Sequence, residues 1–135
     1  LTCVMQTALL ATGAQPYSEA YQLSQQENRP LLVMVGADWC PGCVSMKQGV
    51  LARMQRSGKL RRVAFATVDA DRDHQLAGTL MKGGSIPQLR LYYKTADGWK
   101  KEHVVGAQSE EAIERMIDRA VTNTVPVKQA SVEIN

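Results

Sequence analysis

The sequence predicts an α/β fold, a central mixed sheet of four to five strands with helices on both faces. Three observations carry that prediction. Leu31-Leu32-Val33-Met34-Val35 is an unbroken apolar run of strand length, as expected of a strand covered on both sides. Val63 to Val68 is a second run of this kind, and between the two Cys43, Met46, Val50 and Met54 recur at three- and four-residue intervals, the mark of an amphipathic helix. Finally, Gln88 to Tyr93 alternates like a half-buried strand, and Thr95-Ala96-Asp97-Gly98 turns it into Lys101 to Val105 as an antiparallel hairpin.

The remaining elements follow in chain order. Residues 1–14 are apolar and uncharged and end in small residues. They read either as the tail of a secretory signal peptide or as an edge strand, with Thr7 to Ala11 pairing at the sheet margin. Cys3 does not sit in a convincing lipoprotein box. Ser18 to Gln26 is a first helix with Tyr17, Ala20, Tyr21 and Ser24 on one face, ended by Asn28-Arg29-Pro30. The helix after the first strand stops near Ser57-Gly58, and close packing is the expected reason for Gly49 within it. Lys59-Leu60-Arg61-Arg62 is expected to solvate a turn. Asp69 to Asp73 makes another turn before a short helix from His74 to Met81, which Gly83-Gly84 breaks. The three acids of that turn lack the ligand spacing and closing Glu of a calcium loop. Ser109 caps a last helix whose first turn holds Glu110 and Glu111 and whose apolar stripe is Ile113, Met116, Ile117, Ala120 and Val121.

The chain has 135 residues, 44% of them hydrophobic and 21% charged, enough for one domain with its own core, placed at residues 15–122. Residues 123–135 are left as an extension. A net charge of +3 is mild, and no interleaving of basic and aromatic residues suggests a nucleic-acid surface. No stretch is long enough to span a bilayer. A monomer is expected.

The chemistry lies in Trp39-Cys40-Pro41-Gly42-Cys43, which sets two thiols one turn apart where the first strand gives way to a helix. A sulfur at a helix start faces unpaired backbone N–H groups and the positive end of the helix dipole, both of which favour thiolate. Such settings lower a cysteine from about 8.5 to roughly 3.5–7.5, so Cys40 is the candidate attacking thiol. Pro41 suits the first helical position, and the N–H groups of Gly42 and Cys43 are left to face the sulfur. Cys43 then resolves the mixed disulfide. A zinc or iron–sulfur site usually needs four ligands, but the only other cysteine, Cys3, lies in the ambiguous N-terminal stretch, and His74 and His103 lack the paired spacing of a zinc finger, so no metal and no cofactor are expected. Both histidines are expected at the surface. Asp38 would oppose the thiolate, and Lys47 is positioned to offset it.

The motif after an apolar strand, then Ser85-Ile86-Pro87 opening a later strand, then Val105-Gly106-Ala107 before the last helix, resembles the thioredoxin family over roughly Pro16 to Val121. The resemblance implies the thioredoxin fold and a thiol–disulfide oxidoreductase of protein thiols and disulfides. It makes Cys40 the nucleophile, Cys43 its partner and Trp39 an aromatic flank. Pro87 becomes the cis-proline beside the disulfide, and the backbone of Ile86 becomes the edge that pairs with an extended substrate segment. Pro41 and Gly42 complete the substrate surface.

Three departures qualify it. Pro41 and Gly42 reverse the order usual in thioredoxins, which changes the redox poise. The buried aspartate and lysine of the family's proton relay align with Met34 and Phe65. Without them Cys43 needs water or another group as its base. The pattern, with the run Gly36-Ala37-Asp38-Trp39 ahead of the thiol pair, resembles divergent thioredoxin-like domains of bacterial envelopes more than a housekeeping cytosolic thioredoxin, so a periplasmic or otherwise exported setting is expected, with the cytoplasm as the alternative. Ile86 before the proline resembles reducing members, which favours reduction and calls for an electron-donor partner, an electron acceptor serving the reverse direction. The alternative of another class is a redox-inert module that grips an extended peptide between Trp39 and Ile86.

Overall fold

The computed structural model describes residues 15–126. Helix α1 (Tyr17–Glu27) leads to strand β1 (Leu31–Gly36), and α2 (Pro41–Ser45) runs through a π-helical turn at Met46–Val50 into α3 (Leu51–Arg56). Strand β2 (Ala64–Asp69), helix α4 (His74–Leu80), the hairpin β3 (Gln88–Thr95) and β4 (Gly98–Val105), and helix α5 (Glu110–Asn123) complete the order. The sheet order is β2-β1-β3-β4, with β1 parallel to β2 and antiparallel to β3. Four strands are present among the described residues, and Gln15 adds a single parallel bridge to Ala66. The edge strand considered for Thr7 to Ala11 lies outside them, as do the signal-peptide reading and Cys3.

The two faces of the sheet carry separate apolar clusters. On one, Leu32, Met34, Phe65, Leu89 and Leu91 pack against Met46, Leu51 and Met54 of the long helical segment and Ile113, Met116 and Ile117 of α5. On the other, Leu31, Val33, Val35, Ala64 and Ala66 meet Ala20 of α1 and Ala77 and Leu80 of α4. β1 is buried at every residue because it is central and covered twice, which is why its sequence is a continuous run rather than an alternation. β4 is an edge and reads as one, with Lys100 and Lys101 exposed.

Local signals end the elements. Asn28 takes φ 51° as the left-handed cap of α1, and Ser109 Oγ accepts the N–H of Ala112 at 3.2 Å. Three expectations are corrected. The π turn inserts one residue into the helical register, so Leu51 is buried on the core face and Val50 lies only partly buried beside it. Close packing does not account for Gly49, since a Cβ there would meet only the Arg53 guanidinium at 3.6 Å. The basic turn does more than solvate itself: Lys59 pairs with Glu110 and Glu114, Arg62 with Asp118, and Leu60 is buried.

Candidate active site

The C-terminal end of β1 delivers the chain to the site. Gly36 has no side chain because none fits: a Cβ there would stand 2.9 Å from Cys43 Cβ, 3.0 Å from its Sγ and 3.1 Å from Met34 Cε. Cys40 is the N-cap of α2 and Pro41 its first residue. Cys40 and Cys43 are joined as a disulfide, with Cα atoms 5.2 Å apart. The backbone N–H of Cys43 donates to Cys40 Sγ at 3.2 Å. Gly42, expected to add a second N–H to the sulfur, makes no such bond and instead lies against Pro87, to whose Cδ an added Cβ would be 3.5 Å.

Cys40 Sγ lies 3.9 Å from the Ile86 carbonyl oxygen. Of the two cysteines Cys40 is the more exposed, at 7% against 2% for Cys43. Pro87 is buried, Ile86 half-buried, and the peptide between them is cis. Trp39 stands out at 69% exposure, and its indole N–H donates to the Asp71 carboxylate at 2.8 Å. The structure thus brings Cys40 against Ile86 and Gly42 against Pro87, with Cys43 buried behind them and Trp39 and Pro41 flanking Cys40 in the chain.

Charges ring the site at a distance. Asp38 is held by Arg72 at 3.2 Å rather than by Lys47, with both side chains largely exposed. Asp69 Oδ1 accepts the N–H groups of Arg72 and Asp71, and these backbone donors, with the Arg72 and Lys47 charges, hold its carboxyl below the usual carboxylate range. His74 opens α4 and His103 sits on β4, both exposed. Among the described residues no group of three His, Cys, Asp or Glu gathers as metal ligands.

A family model described as thioredoxin-like matches residues 13–93, more than half of the chain. The chain belongs to the thioredoxin-like family. Among solved structures, a thioredoxin from Thermus thermophilus is similar at 24% identity and a TM-score of 0.64, over 79% of this chain and 85% of that one. A mutant thioredoxin from Halobacterium salinarum is similar at 26% identity and a TM-score of 0.61, over 84% and 91%. Trichomonas vaginalis thioredoxin is similar at 24% identity and a TM-score of 0.60, over 78% and 92%. No curated protein sequence matches the chain significantly. The thioredoxin fold and a Cys-x-x-Cys pair at disulfide distance support thiol–disulfide redox activity in general terms.

Within this thioredoxin-like domain, sequence reasoning passed over two residues that shape the site. Gly36 is one, read only as the start of the run to Trp39 and not for its packing; its signal is a glycine closing an otherwise bulky apolar strand. Gln88 is the other. Fully buried, it donates from Nε2 to the carbonyls of Lys82 and Ser85 at 3.1 and 2.9 Å and accepts the Lys82 N–H at 3.4 Å. It ties down the loop that carries Ile86 and Pro87. A lone amide opening an apolar strand directly after a proline was the available sign. Gly106, with φ 91°, brings its N–H to the Pro87 carbonyl at 2.8 Å and secures the loop from the other side.

Proposed function

We propose that the protein is a thiol–disulfide oxidoreductase of protein substrates in which Cys40 attacks and Cys43 resolves. The observation that carries the reading is a closable Cys40–Cys43 pair at the start of a helix, with the Cys43 N–H aimed at the more exposed sulfur. That N–H and the helix dipole favour negative charge on Cys40, as a nucleophile and leaving group requires. In the reducing direction the Cys40 thiolate attacks one sulfur of a substrate disulfide. That bond breaks, and its electron pair leaves with the other sulfur, which takes up a proton. Cys43, deprotonated, then attacks Cys40 Sγ and expels the second substrate thiol. Two electrons pass to the substrate and the pair closes as a disulfide.

Trp39 and the Ile86 backbone are proposed to frame an extended substrate segment beside the disulfide, with Pro41, Gly42 and Pro87 as its floor. A redox partner must then reduce the pair again, or oxidise it if the cycle runs in reverse. The apolar Met34 and Phe65 and the run Gly36 to Trp39 support a setting in the cell envelope rather than a housekeeping role in the cytosol. No helix among the described residues is long and apolar enough to cross a membrane.

The deciding experiment is the equilibrium reduction potential of the pair, titrated in defined thiol buffers and followed by Trp39 fluorescence. A potential near or below about −250 mV marks a reductant that needs an electron donor, and one of about −120 to −180 mV an oxidant or isomerase. The absence of a reversible transition would overturn the enzyme and leave a peptide-binding module.

A further inference from the structure

A cavity of about 280 Å³ reaches the disulfide without touching Cys40, Ile86 or Pro87. Its inner wall includes Met34, Gly36 and Cys43, and its rim carries Asp38, Lys47, Asp69 and Arg72. Opening the disulfide leaves an electron pair on Cys43 Sγ, which is almost wholly buried among apolar side chains. A buried thiolate needs either a cation or a proton. The strands beneath it supply neither, since Met34 and Phe65 are apolar. Of the four charges on the rim, three are committed to one another. Asp38 pairs with Arg72 at 3.2 Å, and Asp69 accepts the Asp71 and Arg72 N–H groups and lies 3.9 Å from the Arg72 guanidinium.

Lys47 makes no direct ion pair among the described residues, and its charge is only the least of the influences on Asp69, behind the backbone donors and Arg72. It follows Cys43 by four positions on one continuous helical segment. Lys47 stands in the π turn that follows, and it lines the same cavity as Cys43, so the lysine stem borders the space beside the buried sulfur. The cavity is polar at its rim and roomy enough for water. We infer that Lys47 is a positioning residue for the resolving step, the charge partner of the Cys43 thiolate acting across this cavity, and that the cavity is where Cys43 exchanges its proton with solvent. The inference rests on the oxidoreductase reading, and replaces the relay that Met34 and Phe65 lack. In the reducing half-cycle Cys43 loses its proton to cavity water and attacks Cys40 Sγ of the mixed disulfide, whose bond to the substrate breaks as the substrate sulfur leaves with the electron pair and takes up a proton. When a thiolate of a dithiol donor attacks Cys40 Sγ and bonds to it, Cys43 Sγ leaves with the electron pair of the broken disulfide and is reprotonated by the same route.

The test isolates Cys43 as the sole thiol with Cys3→Ser and Cys40→Ser and follows its thiolate absorbance against pH. In that background Lys47→Met is expected to raise the midpoint by about one pH unit, Lys47→Glu to raise it further, and Lys47→Arg to keep it near the parent value. Asp69→Asn, which removes the opposing charge, is expected to lower it. A midpoint unmoved by both Lys47→Met and Lys47→Glu, in proteins with unchanged circular dichroism, overturns the inference. The reversible redox transition of the parent pair is measured in parallel. If it is present and the midpoints do not move, only the role of Lys47 falls; if it is absent, the oxidoreductase reading falls on that measurement alone.

Discussion

Gly36 sets how closely the disulfide helix can approach β1. Its neighbours at 2.9 and 3.0 Å are Cys43 Cβ and Sγ, which are pinned by the disulfide and by the helix and cannot swing aside. Gly36→Ala is therefore expected to push the helix start outward and cost about 1–3 kcal/mol, read as a lower urea midpoint. Gln88 acts at the opposite wall. Gln88→Ala removes three part-buried hydrogen bonds to the Lys82 and Ser85 backbone, each contributing about 0.5–1.5 kcal/mol, so a destabilisation of about 1–3 kcal/mol is expected. Because those groups lie in the loop bearing Ile86, hydrogen exchange there should quicken more than in α5; equal change in both would argue that Gln88 stabilises only the fold. Arg90 runs the other way. It is buried on β3, and its Nε and Nη1 find no partner among the described residues. Arg90→Met, which keeps the stem and deletes the orphaned donors, is expected to raise the urea midpoint.

The helical segment after the disulfide shows where element-scale reading succeeds and where it stops. Cys43, Met46 and Met54 are buried as their spacing predicts, yet the π turn at Met46–Val50 shifts the next core position from Val50 to Leu51. A one-residue register insertion leaves no composition of its own, so a 3.6-residue period runs past it. Gly49 sits in that turn with room for a methyl group, and Gly49→Ala is expected to raise stability by about 0.4–1 kcal/mol through the unfolded chain; a loss instead would mean the turn needs glycine's backbone freedom. The strands and the Ser109 cap were legible because apolar runs and capping hydroxyls act locally. Gln88 was not, since its partners are backbone groups in a loop, and neither were the ties of Lys59 and Arg62 to α5, which depend on how elements dock. The turn between β2 and α4 carries a pH signature. Asp69 has its carboxyl lowered by the Arg72 and Asp71 N–H groups, so its contribution to stability is present above its unfolded value and lost as pH falls through the folded one. Asp69→Asn should flatten the acid limb of stability against pH while leaving the alkaline limb unchanged.

At the scale of the molecule, the site forms where the two halves of the fold meet the same central strand. β1 pairs on one side with β2, which carries Asp69 toward the cavity, and on the other with β3, whose first residue ties down the Ile86–Pro87 loop. Both cysteines belong to the larger apolar cluster, so the redox pair is part of the core rather than an appendage to it. Every residue of the two clusters falls between Tyr17 and Val121, and the chain beyond α5 closes onto the domain when the Val125 N–H reaches the Lys94 carbonyl at 2.9 Å. A domain of roughly 110 residues built this way buries enough surface to fold without further chain. A fragment of residues 15–126 is accordingly expected to unfold in urea as one cooperative step, with fluorescence and circular dichroism coincident, and to keep the reduction potential of the whole chain. Since the fragment lacks Cys3, an unchanged potential would also assign the redox couple to Cys40 and Cys43 alone. Separate transitions by the two probes would instead show that chain outside 15–126 completes the core.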